Sequence, residues 1–207
     1  VAASEAGAVL HGPNLLDYTV NNRSMRRDGM PDTNHSNYPP MAPHNIYPAE
    51  GDDNWLAIAC RDDADWRLLA ATIDQPWTED PAFESVQGRI DHQAKLDDHL
   101  AVWSEARDKH DAARLLKSKG VPAEPVRKPQ ERIDQDPNTE NWGLWPTVEH
   151  TEMGEVRVDG IPIHLSETDW RIERGGPCLG EHNNYVFSEM LGLPADEIED
   201  LRAEGVI

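Results

Sequence analysis

Apolar and polar positions along the chain mark short elements separated by breaks rich in Pro and Asp. The sharpest pattern is Trp55-Leu56-Ala57-Ile58-Ala59-Cys60, preceded by the turn Glu50-Gly51-Asp52-Asp53 and a short extended segment at Ile46-Tyr47. A continuous apolar run bounded by a turn predicts a hairpin whose second strand is buried on both faces, or nearly so. Arg61-Asp62-Asp63 closes the run. A helix follows with Trp66, Leu68, Leu69 and Ile73 as its apolar positions, and Asp62 or Asp63 is placed to cap it and to favour its positive dipole end.

Residues 1–18 predict an alanine-rich helix with Val9, Leu10, Leu15, Leu16 and Tyr18 on its apolar face, interrupted at Gly12-Pro13. Residues 21–43 lack apolar periodicity and read as a linker kept extended by Pro31, Pro39, Pro40 and Pro43. The linker's basic cluster, Arg23, Arg26 and Arg27, is either a solvated face or a contact for phosphate or an acidic partner. Residues 90–106 predict a helix with Leu96, Leu100 and Trp103 on one face, and residues 109–119 another, capped by Asp108 and stopped by Gly120. Pro122 and Pro125 then force residues 121–126 to be extended. Residues 147–150 and 155–158 alternate as a second hairpin, and two short helices end the chain, one with Val186, Phe187, Met190 and Leu191, the other with Ile198 and Leu201. The expected class is α/β, a small domain of antiparallel hairpins and helices with helical segments at both ends.

Charge narrows the function. Nineteen basic against thirty-nine acidic residues give a formal charge of −20, which excludes the basic footprint of a nucleic-acid binder and disfavours anionic membranes. Five of the basic residues are Lys; an acidic, Lys-poor surface fits a high-salt habitat, where screening relieves self-repulsion, and equally ordinary acidic drift. An apolar content of 38% over 207 residues suits a chain that has extended connections or completes its core against a partner. No apolar run approaches the ~20 residues of a membrane span, no secretory leader pattern is present, and a cytoplasmic location is expected. Cys60 reads as a core residue, and neither it nor Cys178 belongs to a CxxC, so neither a metal site nor a redox motif is expected.

Chemistry-bearing motifs are sparse. No glycine-rich phosphate loop, G-x-S-x-G or zinc-protease His pair occurs. His92 and His99 read as surface residues. His44 stands before the first strand and His182 before a helix, each either a turn or cap residue or a functional one. Asp62 is either a helix cap or a group presented for chemistry at the strand–helix corner.

Pro43-His44-Asn45-Ile46-Tyr47, the acidic turn and Trp55-Leu56-Ala57-Ile58-Ala59 resemble the small domain of family III CoA-transferases, which include formyl-CoA transferase, carnitine CoA-transferase and α-methylacyl-CoA racemase. The likeness extends to Gly12-Pro13-Asn14-Leu15-Leu16-Asp17-Tyr18, Gly120-Val121-Pro122-Ala123-Glu124-Pro125-Val126, Asp136-Pro137, Leu179-Gly180-Glu181-His182 and Gly205-Val206-Ile207. It departs at Tyr38-Pro39-Pro40-Met41-Ala42, where formyl-CoA transferases carry a glycine-rich loop.

The resemblance implies a C-terminal portion of such an enzyme. Residues 1–31 and 166–207 would belong to the large nucleotide-fold domain and residues 32–165 to the small α/β domain. The implied reaction moves CoA from an acyl-CoA to a carboxylic acid through an aspartyl intermediate, with the nucleophilic Asp upstream of Val1. The chain is then expected to be inactive alone and to need the N-terminal half or a companion subunit, within an interlocked dimer. Its apolar terminal segments are expected to be frayed or covered by that partner. Coenzyme A thioester enters as substrate, with no permanently bound cofactor, and His44, Tyr47 and Asp62 are the substrate-binding candidates. The alternatives are the same portion of an acyl-CoA racemase, in which an acid near Asp62 works with a His on the other half, and a non-catalytic subunit-contact module.

Overall fold

The alanine-rich start forms α1 (Ala3–Leu10), and after the break at Gly12-Pro13 the chain continues as α2 (Gly12–Asn21). Neither helix buries a residue, and Leu10 is 83% exposed. The computed structural model describes residues 2–24, 27, 34–35 and 37–207. Val1, Arg26, Pro31 and Asp32, which figure in the helix, linker and domain readings above, lie outside the described residues. The chain forms two compact units, Val1–Arg127 and Lys128–Ile207.

In the first unit the hairpin forms as its pattern predicts, with β1 (His44–Pro48) and β2 (Trp55–Ala59) paired antiparallel and Gly51 turning between them at a φ of 97°. Five helical stretches follow. They are α3 (Asp63–Ile73), two 3₁₀ turns at Pro76–Glu79 and Pro81–Phe83, and then α4 (Val86–Asp91) and α5 (Gln93–Glu105). After α6 (Lys109–Ser118), Gly120 takes a φ of 87° and the chain returns as β3 (Ala123–Val126), making the sheet order β1-β2-β3. The helix expected at 90–106 starts earlier and breaks. Ser85 caps α4 by accepting from the Gly88 amide, and His92 leaves helical geometry at ψ 27°.

The expectation that residues 55–60 are buried on both faces is corrected. Leu56 and Ile58 are buried with Leu69, Leu96, Leu100 and Leu116, whereas Ala57 and Ala59, half-buried, alternate onto a face whose groove lining includes no helix residue among those described. The run is apolar throughout because that second face is floored by alanine. Ile46, Trp55 and Val126 lie exposed in the same rows.

Between the sheet and α3 sits Arg89 of α4, wholly buried. Its Nε donates to the Ala42 carbonyl (2.7 Å), Nη1 to that of Phe83 (2.9 Å) and Nη2 to Asp63 Oδ1 (2.8 Å), and the guanidinium lies over the Trp66 ring. Trp66, Trp77 and Phe83 meet around it at ring separations of 6.0–6.4 Å.

The second unit opens with α7 (Pro129–Asp134) and α8 (Pro137–Asn141), followed by the expected hairpin of β4 (Thr147–His150) and β5 (Gly154–Arg157). His164 ties its loop together, Nδ1 against Asp169 Oδ2 (2.8 Å) and Nε2 against the Trp142 carbonyl (2.9 Å). Those two acceptors, the carboxylate first, raise its pKa. A π-helical stretch, Asn184–Met190, and α9 (Ala195–Ala203) complete the unit, and of these two only α9 buries a residue, Ile198. No helix among the described residues is long and apolar enough to cross a membrane.

Arg89→Met keeps the length of the side chain and removes every donor. Buried carbonyls without partners and loss of the buried half of an ion pair should cost on the order of 3–5 kcal/mol in urea unfolding. Asp63→Asn keeps an acceptor for Nη2 but leaves the buried guanidinium without its counter-charge, and should cost roughly 1–3 kcal/mol. Equal small effects would remove Arg89 from its organising role.

Candidate functional site

The strand register places His44 beside Ala59, Ile46 beside Ala57, and Ala57 beside Glu124. Because strand side chains alternate, these residues share the uncovered face. With Pro122, Ala123 and Asn34 they line a groove of about 330 Å³. The two alanines on the central strand leave the trough between taller neighbours. His44 Nδ1 lies 2.5 Å from the Asn34 carbonyl. A carbonyl only accepts, so Nδ1 carries a proton, and in the neutral form of the ring the lone pair lies on Nε2. Glu124 is the carboxylate among the lining residues and is ion-paired with Lys117.

The opposite face of β1 carries Asn45 and Tyr47 toward α5. Tyr47 is buried, and its hydroxyl donates to Asp97 Oδ1 at 2.6 Å. Burial first, and the Asp97 charge second, raise the phenol well above its ordinary range, so it remains a donor. Asp97 also accepts from Gln93 Nε2 (3.0 Å) and contacts His35 Nε2 (3.0 Å). Arg27 adds a hydrogen bond to Gln93 Oε1 at 3.0 Å, so one residue of the linker's basic cluster joins this buried network.

At the strand–helix corner, Asp62 Oδ1 accepts from the Ala64 and Asp65 amides, both at 2.9 Å, as the N-cap of α3. Asp65, buried, receives Arg61 through Nε (2.7 Å) and Nη2 (3.0 Å). The Arg61 hydrogen bonds hold the Asp65 carboxyl below its usual range. Cys60 is buried beside this corner, and desolvation pushes its thiol up to about 12. His99 stacks on Trp77 at 4.8 Å. No cluster of three or more His, Cys, Asp or Glu suited to a metal occurs among the described residues.

The three sequence candidates therefore occupy three environments. His44 lines the groove, Tyr47 lies beneath the sheet bonded to Asp97, and Asp62 caps α3 outside the groove lining. Sequence reasoning missed Asp97 and Gln93. Their signal was present, since they lie at i and i+4 with Leu96 and Leu100 on the buried side of α5.

The model described as CoA-transferase family III matches residues 1–183. Succinyl-CoA–D-citramalate CoA-transferase of Chloroflexus aurantiacus is 33% identical over 170 residues, 82% of this chain and 42% of that protein. The succinyl-CoA–L-malate CoA-transferase alpha subunit of the same organism is 27% identical over 166 residues, 80% of this chain and 38% of its own length. Among solved structures, a CAIB/BAIF family protein from Brucella suis superposes with a TM-score of 0.67 at 22% identity, over 88% of this chain and 45% of that one. The chain thus spans less than half the length of these relatives.

Two measurements check the corner. Asp62→Ala should cost about 1 kcal/mol of stability through the lost cap. The folded-state value of Asp65 lies below its unfolded value, so its pairing with Arg61 stabilises the fold at neutral pH. That contribution should fade as pH falls below the unfolded value of about 3.9 and through the folded one. Urea midpoints followed down to about pH 3 should fall less steeply in Asp65→Asn than in the parent; parallel curves would remove the pair from the acid response.

Proposed function

Because this chain belongs to CoA-transferase family III, we propose that it forms part of an enzyme that moves CoA from an acyl-CoA to a carboxylic acid, and that the uncovered sheet face with His44 is one wall of its site. The observation that carries this reading is the groove itself, a trough of about 330 Å³ on the sheet face opposite the helices. Both relatives named above transfer CoA from succinyl-CoA, to citramalate and to malate respectively, which favours transfer over racemisation. The capping role of Asp62 supports the same choice, since its Oδ1 is engaged with the α3 amides rather than presented for proton transfer.

In this reading a carboxylate attacks the thioester carbonyl, the C–S bond breaks, and CoA thiolate departs from a mixed anhydride. The attacking group is an aspartate outside these 207 residues. In support, the carboxylate lining the groove, Glu124, is held by Lys117. The CoA thioester is substrate rather than resident cofactor. The working enzyme is an interlocked dimer, completed by the portion of the family fold that this chain does not span or by a companion subunit. That partner also covers the exposed apolar residues of α1 and α2.

CoA exchange measured with the 207-residue chain alone should show no turnover above background; turnover would place the nucleophile within it. In the assembled enzyme, Ala57→Leu fills the trough without touching the core face. It should lower kcat/KM by about tenfold or more, a change of roughly 1.4 kcal/mol in the barrier. An unchanged kcat/KM would take the groove out of the site.

A further inference from the structure

β1 is an edge strand, and the chain that precedes it wraps from one face of the sheet to the other. Beneath the sheet, Asp97 of α5 contacts His35 Nε2 at 3.0 Å, and His35 is 9% exposed. The residue before it, Asn34, lies on the groove side and offers its carbonyl to His44 Nδ1. The Tyr47 hydroxyl and the Gln93 amide bond Asp97 from β1 and from its own helix, so the carboxylate is fixed against the sheet. The buried anchor is thus one residue away in the chain from the carbonyl that meets the His44 imidazole.

We propose that Asp97, acting through His35 and Asn34, is a positioning residue that holds His44 as the Nδ1–H tautomer, and that the groove consequently seats the neutral, amide-bearing arm of a CoA thioester and not the carboxylate of the acid. The second half rests on the groove being a wall of the transfer site. In this tautomer the ring of His44, which is among the groove-lining residues, carries an acceptor lone pair on Nε2. Glu124, also an acceptor, is the charged group among the described lining residues, and no Lys or Arg is among them. A carboxylate entering there would lose its hydration and gain no donor from either group. A slender chain bearing N–H groups finds an acceptor at His44 and apolar contact along Ile46, Ala57 and Ala59. The volume of about 330 Å³ suits a segment of that kind.

Tautomers are read directly from two-bond 1H–15N correlations of the histidine-labelled chain, with no turnover required. At alkaline pH His44 should appear as Nδ1–H. Asp97→Asn turns the acceptor into a mixed donor, and His35→Ala cuts the link at its middle. In either variant His44 should lose the Nδ1–H pattern in favour of Nε2–H, the form a free imidazole prefers. Tyr47→Phe removes a different Asp97 contact and should leave His44 as it is. Two variants keep the test open if one fails to fold. Nε2–H in the parent chain, or Nδ1–H persisting in either variant that is folded by circular dichroism, overturns the positioning role.

For the occupant, pantetheine at millimolar concentration should shift His44 Nε2 and the Ala57 and Ala59 methyl signals, while succinate should leave them in place. Shifts with succinate, or none with pantetheine, overturn the assignment of the arm. Neither result bears on whether the groove belongs to the transfer site, which the Ala57→Leu kinetics decide separately.

Discussion

Arg89 is wholly buried, and its planar fork distributes N–H groups to three separated segments, at Ala42 just before β1, at Phe83 in the 3₁₀ turn and at Asp63 opening α3. A buried charge is costly unless each donor is met, so these segments cannot shift independently. The Pro43 carbonyl, next in line, accepts from the Cys60 amide at 2.8 Å and closes the hairpin against the helix start. The position of His44 is therefore set from below by a cation that never reaches solvent. Arginine suits this task better than lysine, because a fixed fork matches several carbonyls at once.

The asymmetry of the sheet follows from the same packing. Three helices supply apolar side chains to one face, and the central strand answers with Leu56 and Ile58. On the other face the central strand offers Ala57 and Ala59, small residues that leave a trough between taller neighbours.

In the proposed site, charge would give the trough its selectivity. A CoA thioester carries phosphates, which need cations, and the described lining of this groove holds no Lys or Arg. In a chain of net charge −20 that division of labour is physically coherent: the neutral arm can lie along the sheet while charged groups are met elsewhere in the complete enzyme. The terminal helices fit the same picture, since α1 and α2 bury none of their apolar residues within the described structure.

The sequence by itself determined the local elements. The turn at Gly51, the capping of α3 by Asp62, the break at Gly12-Pro13, the stop at Gly120 and the extended Pro122–Pro125 stretch are each set by residues within a few positions of one another. The family resemblance was legible for a similar reason, being carried by contiguous motifs. Only the tertiary structure decided which face of β2 is covered, since an apolar run of mixed size looks the same whether one side or both are packed. It alone brought Asp97 to Tyr47 across 50 residues and Arg89 to Ala42 across 47. Those partners are polar groups whose pairing across the sheet no local pattern encodes, even where, as for Asp97, the helix period marks the buried side. Their roles depend on burial and on facing acceptors, quantities that arise when distant segments meet and that no local pattern encodes.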